Sequence, residues 1–190
     1  MSINNQLART FFTTLEEYPE YWTMIYDQTR EMLAALFPAV TGDDDQGEAE
    51  AAKDGARSNG LIERDYRVHG YHLDAQVDPD QLLEAVGLLD RLEYFLEAIT
   101  GVDWIADNQL EVVYDFSRYD KTPCRVVIRT RLDRQNPQVP TITGIFAGAN
   151  WHERETHDFF GISFIGHPHL IPLLLPEDAD FHPLLKDFKA

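Results

Sequence analysis

Two runs that alternate apolar and polar side chains constrain this chain more than any other feature. They are Leu110-Glu-Val-Val-Tyr-Asp-Phe116 and Arg125-Val-Val-Ile-Arg-Thr-Arg-Leu132, with an Asp120-Lys-Thr-Pro123 turn between them. A period of two puts every second side chain on one face of a strand, and a turn this short favours antiparallel pairing. A sheet with one apolar face needs a cover. The helix expected from Asp80 to about Ile99 supplies it, since Leu82, Leu83, Val86, Leu89, Leu92 and Phe95 fall near one side and acids stand in its first turn. Further strands are expected at Asp65 to Val68, Tyr71 to Val77 and Val102 to Ile105, with Gly101 and Asn108 as punctuation. The fold class that follows is α+β, a small mixed or antiparallel sheet with helices mainly on one face.

On either side of this core the sequence changes character. Residues 6 to 38 space apolar groups as a helix does (Leu7, Phe11, Leu15, then Tyr21, Met24, Ile25, Met32, Leu33 and Leu36), and Pro19 is expected to separate two helices. From Thr41 to Gly60 large apolar residues are absent, which predicts a flexible acidic linker. Asp43, Asp44 and Asp45 are consecutive, whereas an EF-hand loop alternates its ligands and ends on a Glu, so calcium is not indicated. Near the other end, prolines at 168, 172, 176 and 183 interrupt regular structure. The expected division is a helical extension at 1–40, a linker at 41–60, an α/β core at 61–165 and an extended, proline-rich tail at 166–190. That tail carries Leu170, Ile171, Leu173, Leu174, Leu175, Phe181, Leu184 and Phe188, so it is expected to lie along its own domain or a partner.

Composition narrows the functional classes. A formal charge of −17 on 190 residues disfavours nucleic acid and anionic lipid as direct partners. No run approaches the roughly 18 to 20 apolar residues that cross a bilayer, and the first residues lack the features of a secretory signal, so a soluble chain with no bilayer insertion is expected. Cys124 is the only cysteine, which rules out an internal disulfide and argues against a thiolate-bound cluster or structural zinc in this chain. With no histidine beside it, Cys124 reads as structural.

The densest chemistry lies between Trp151 and Leu170. Five of the seven histidines (152, 157, 167, 169 and 182) fall in the last forty residues, among carboxylates. The metalloprotease motif needs His-Glu-x-x-His, with ligands four apart on one helix face; His152 and His157 are five apart, about 140° around a helix, and point to different sides. Acid–base catalysis by Glu153, Glu155 and Asp158 is the second reading. Arg154 stands one helical turn from Asp158, where it can pair with that carboxylate, and an arginine keeps neighbouring acids ionised, the wrong direction for a general acid. The third reading is structural: a charged helix end that orients the Gly161 turn and the tail, packed by Trp151, Phe159, Phe160 and Phe164.

The same stretch carries a family resemblance. Glu153-Arg154-Glu155, Asp158, Gly161 and His167-Pro168 resemble the signature of the 30-kDa subunit of respiratory complex I and its relatives in energy-converting hydrogenases. Val112-Val-Tyr-Asp-Phe116, Asn136-Pro-Gln-Val-Pro140, Ala149-Asn-Trp151, Leu175-Pro176-Glu-Asp178, His182-Pro183-Leu184 and Lys186-Asp187-Phe188 stand in the family's order. The resemblance implies a non-catalytic subunit of the peripheral arm of a membrane-bound NADH-quinone oxidoreductase type complex, on the cytoplasmic face. It implies docking on a hydrogenase-like large subunit of the 49-kDa type, beside an iron-sulfur small subunit. No flavin, iron-sulfur cluster, quinone or nickel-iron centre would reside in this chain; those belong to the partners, coupled to ion translocation. Trp151, Glu153, Arg154, Glu155, Asp158, Gly161, His167, Pro168, Pro176, Asp178, Pro183, Lys186 and Asp187 are the implied motif and interface residues. Complex I members usually have arginines where this chain has Ile171, Pro172 and Leu185, and a Trp and a Gly where it has Ala179 and Phe181. Pro172 looks closer to the membrane-bound [NiFe] hydrogenase branch, the alternative within the family. An independent metal-dependent hydrolase is the alternative outside it.

Overall fold

The computed structural model describes residues 19–37, 58–119 and 124–189. In chain order the elements are α1 (Pro19–Ala34), β1 (Gly60–Glu63), α2 (Tyr66–His69), β2 (Leu73–Val77), α3 (Leu82–Arg91), β3 (Phe95–Trp104), a 3₁₀ turn at Ile105–Asp107, β4 (Gln109–Arg118), β5 (Cys124–Asp133), β6 (Gln138–Pro140), α4 (Ala149–Phe160) and β7 (Ser163–Ile165). The two alternating runs pair antiparallel as β4 and β5, from Gln109 opposite Asp133 to Arg118 opposite Cys124. They form the centre of a five-stranded sheet of order β1-β2-β5-β4-β3. The sheet is mixed because β2 lies parallel to β5, with α3, β3 and β4 inserted between them in sequence. The fold is α+β. Residues 6 to 18, most of the expected linker and the Asp120–Pro123 turn lie outside the described residues.

Two sequence expectations are corrected. The helix beginning near Asp80 stops at Arg91, and Phe95 to Trp104 form a strand along β4. Apolar spacing continues past Arg91, but Tyr94, Phe95, Ile99 and Thr100 are aromatic or β-branched, types that fit a pleated surface. Glu93 takes a left-handed turn at φ 62°, and Arg118 on β4 fixes that turn by donating to the Leu92 carbonyl and pairing with Glu93 at 3.0 Å. The second correction concerns Asp65 to Val68, expected as a strand. Asp65 instead caps a one-turn helix, accepting from Arg67 N–H at 2.9 Å, and Gly70 closes it in the left-handed conformation.

One face of the sheet is the core. Leu73 and Val77, Leu110, Val112, Tyr114 and Phe116, and Val126 and Ile128 meet Leu82, Val86 and Leu89 of α3, while α4 lies against β3. Leu33 of α1 is fully buried in the same core, and Thr29 of that helix reaches the Tyr94 hydroxyl at 3.0 Å. The opposite face holds ion pairs. Arg125, Arg129 and Arg131 of β5 bind Glu97 at 2.6 Å, Asp74 at 3.0 Å and Glu111 at 2.8 Å. These side chains cover one another, and Asp74 and Glu111 are almost fully buried.

Gly101 sits in the middle of β3 against the ring of Phe160, not at a break in the chain as its position suggested. A Cβ there would fall inside the van der Waals envelope of that ring, so the missing side chain sets how closely α4 approaches the sheet. Gly101→Ala is expected to destabilise the full chain by about 1–3 kcal/mol. Urea denaturation checks it, with a lower midpoint at unchanged slope as the expected result.

Candidate functional site: the charged helix and the tail it holds

Helix α4 carries the charged motif with two of its acids turned inward. Glu153, Thr156 and Asp158 are buried, while Trp151 and Glu155 are exposed. Gly161 ends the helix at φ 73°, donating its N–H to the His157 carbonyl at 2.8 Å. The ring of His182 lies over it, so closely that a Cβ would come within 2.7 Å of the imidazole. Glycine is needed here twice, for the left-handed turn and for the returning tail.

Glu153, Arg154 and Asp158 each bind a different neighbour. Asp158 accepts three consecutive backbone N–H groups through Oδ2: Leu173 at 2.8 Å, Leu174 at 2.7 Å and Leu175 at 3.1 Å. Burial opposes its ionisation, but those three donors outweigh burial and hold its carboxyl below the usual aspartate range. Arg154 does not pair with Asp158, as helical spacing had suggested. Its guanidinium donates to the carbonyls of Ile171 and Pro172, both at 3.0 Å, and lies 5.5 Å from the Trp151 ring. Glu153, fully buried, accepts from Thr141 Oγ1 at 2.5 Å and Ile142 N–H at 2.8 Å. Burial raises its pKa to about 7 even though both bonds favour the charged form. The expectation that Arg154 keeps every acid of the motif ionised therefore fails at Glu153, because the guanidinium is engaged on the tail.

The end of the tail has its own clamp, in which Lys186 and Asp187 of the motif meet two residues that sequence reasoning did not single out. Asp103 of β3 and Arg134, just beyond β5, form a bidentate pair at 2.9 and 3.0 Å. Lys186 donates its backbone N–H to Asp103 at 2.8 Å, and Arg134 also binds Asp187. Burial opposes ionisation of Asp103, and Arg134 with the Lys186 N–H overcomes it. An acid at a core-facing position of a strand was the available signal. Between the clamps, His182 Nδ1 meets the Asp158 carbonyl at 2.8 Å, and Leu184 N–H donates to the Phe159 carbonyl at 3.1 Å.

With its backbone tied to α4 and β3, the tail turns apolar side chains outward. Ile171, Leu174, Phe181, Leu184 and Phe188 are exposed, Phe181 and Phe188 stack at 5.5 Å, and Trp151 is 62% exposed. Pro168, Pro176 and Asp178 lie on the surface, and Pro183 is half-buried. His167 has both ring nitrogens engaged, Nε2 with the Asn150 carbonyl at 3.3 Å and Nδ1 accepting from His169 N–H at 3.0 Å. Among the described residues, no group of three or more His, Cys, Asp and Glu side chains is placed to hold a metal ion.

Comparison with known proteins follows the same residues. The family model "Respiratory-chain NADH dehydrogenase, 30 Kd subunit" matches residues 75–190. The C subunit of the NADH-quinone oxidoreductase of Roseiflexus sp. (strain RS-1) is 41% identical over 120 residues, 60% of this chain and 68% of that one. The C subunit of the F(420)H(2) dehydrogenase of Methanosarcina mazei is 36% identical over 138 residues, 71% of this chain and 84% of its own. Among solved structures, the membrane-bound sulfane sulfur reductase, an archaeal respiratory membrane complex, contains a similar chain with a TM-score of 0.56 and 26% identity, covering 62% of this chain and 71% of that one.

Asp158→Ala would leave three part-buried N–H groups without their acceptor, at a cost of about 3 kcal/mol. Limited proteolysis is expected to open the chain near Leu173 to Leu175 in that variant and not in the parent. The pH dependence follows from the lowered pKa of Asp158. Its contribution is present above the ordinary aspartate value and is lost as pH falls through the lower folded value, so parental cleavage at these sites should begin only in acid.

Proposed function

The chain belongs to the family of the respiratory-chain NADH dehydrogenase 30-kDa subunit, and from that premise we propose that it is a non-catalytic assembly subunit of a membrane-bound, complex I-like oxidoreductase. Its relatives are the corresponding subunits of NADH-quinone oxidoreductase and F(420)H(2) dehydrogenase. It docks on a hydrogenase-like large subunit beside an iron-sulfur small subunit, through the surface formed by Trp151 and the outward side chains of the tail. The observation that carries this reading is the use made of the charged motif. Arg154 and Asp158 are spent on the backbone of residues 171 to 175, and Ile171 and Leu174 of that segment face outward. An exposed apolar ridge on a fixed backbone suits docking, because little ordering entropy remains to be lost on binding.

Redox chemistry is assigned to the partners. The lone Cys124 is buried and cannot by itself hold a cluster, which supports a chain without redox cofactors. The subunit is held peripherally, on the cytoplasmic face, through the complex; among the described residues no helix is long and apolar enough to cross a membrane. A second reading is the equivalent subunit of a membrane-bound [NiFe] hydrogenase. It is favoured by the Ile171-Pro172 pair, whose carbonyls receive Arg154 and whose side chains offer no cation to a partner. A large subunit retaining paired Cys-x-x-Cys nickel ligands among the co-purifying proteins would decide for it.

Trp151→Asp combined with Leu174→Asp changes only exposed side chains. Purification of the tagged full chain from native membranes should then recover at least about tenfold less of the partner subunits, the scale of an interface hot spot. The circular dichroism spectrum should be unchanged. Undiminished recovery would place docking elsewhere.

A further inference from the structure

Glu153 is the one buried carboxyl of the motif that accepts no backbone N–H from the tail. It points instead into the corner between β6 and α4. Oε1 accepts the Ile142 N–H at 2.8 Å and Oε2 lies 2.5 Å from Thr141 Oγ1, which in turn lies 2.9 Å from Thr143 Oγ1. Thr141 and Thr143 line a cavity of about 720 Å³, together with Asn150, Gly166 and Pro168. A hydrogen-bonded path of three oxygens thus runs from a fully buried carboxyl to an open cavity.

The groups that face Glu153 decide its preferred state. From β4 comes Tyr114, fully buried, its hydroxyl without a hydrogen-bond partner among the described residues. From the turn after β7 comes His167, with Nε2 4.0 Å from Oε2. Burial lowers the His167 pKa, and the ring donates from Nε2 to Asn150 while accepting at Nδ1, so it is neutral. On α4 itself, Arg154 is turned to the carbonyls of Ile171 and Pro172, His157 meets the Ile162 carbonyl, and Asp158 faces the tail. Among the described residues, no cation is paired with Glu153.

With a proton on Oε2 the hydrogen bonds of the corner run outward from the carboxyl. The carboxyl donates to Thr141 Oγ1, Thr141 donates to Thr143 Oγ1, and Oε1 keeps the Ile142 N–H. Without that proton the chain reverses, Thr143 Oγ1 donating to Thr141 Oγ1 and Thr141 Oγ1 to the carboxylate, and a charge with no paired cation is left in the interior.

We propose that Glu153 is a proton-binding site whose occupancy sets the conformation of the Thr141–Thr143 corner and the cavity it walls, which makes this corner a pH-responsive element of the subunit. The inference goes beyond assembly and stands whether or not the tail docks on a partner. The sign is fixed by burial, which lifts the Glu153 pKa from 4.5 to about 7. The proton-bound corner is fully stable below the ordinary value and loosens as pH rises through the higher one.

The test is a carbon-13 NMR titration of glutamate side-chain carboxyls in the full chain, compared with Glu153→Gln and Thr141→Val. The resonance missing in Glu153→Gln should titrate near 7, with the Ile142 and Thr143 amides following the same curve and staying flat in that variant. Thr141→Val removes a bond that favours the charged form, so its midpoint should be higher still. A Glu153 midpoint near 4.5 would overturn the proposal. So would amides that titrate unchanged in Glu153→Gln, which would assign the response to His167. Should Glu153→Gln fail to fold, a Thr141→Val midpoint at or below that of the parent overturns the proposal equally.

Discussion

One carboxylate oxygen, Asp158 Oδ2, accepts three consecutive N–H groups, and the arrangement of the last twenty residues depends on it. A segment flanked by Pro172 and Pro176 cannot join a sheet or continue a helix, so its backbone donors need another acceptor. Successive N–H groups converging on one anion form a nest, and the anion is strongest when it is ionised and held rigidly. Helix α4 provides that rigidity. It is seated on β3 through Gly101, stopped by Gly161, and completes the contact from its other side by giving Arg154 to the Ile171 and Pro172 carbonyls. Three donors and two acceptors of the segment are thereby satisfied by two residues four apart on one helix.

The sheet divides its faces in a way that suits this role. The apolar face takes α3, α4 and part of α1, and the other face is closed by arginine–carboxylate pairs on β5. The core face alone binds the tail, since Asp103, which receives Lys186, stands in register with Leu110 on that face. Tail, helix and sheet edge therefore form one continuous unit, with Ile171, Leu174, Phe181, Leu184 and Phe188 of the tail on its outer surface.

Much of this was legible in the sequence, and the failures have physical causes. Alternation located β4 and β5 because one of their faces is buried, and Gly161 marked the helix end because a left-handed residue is needed there. Apolar spacing overran α3 into β3, since Leu92, Phe95 and Ile99 satisfy a helical period while pairing with β4 decides the outcome. Side-chain partners were harder. Helical spacing offered Asp158 to Arg154, but unsatisfied carbonyls of the tail compete for the guanidinium and win. Asp103 and Arg134 meet the tail only through the fold, and no local pattern announces a pair so distant from Lys186. The burial of Glu153 likewise depends on β4 and the Thr141 corner, two elements that its own helix does not reveal.

The central claim is that the charged helix holds the tail on its own domain before any partner arrives. Hydrogen exchange of the Leu173, Leu174 and Leu175 amides in the unassembled full chain measures this directly, since each donates to Asp158. Protection of all three, within about tenfold of the amides in β4, is the expected result. Exchange at the rate of an unstructured peptide would mean that the tail is ordered only by its partner, and would contradict the claim.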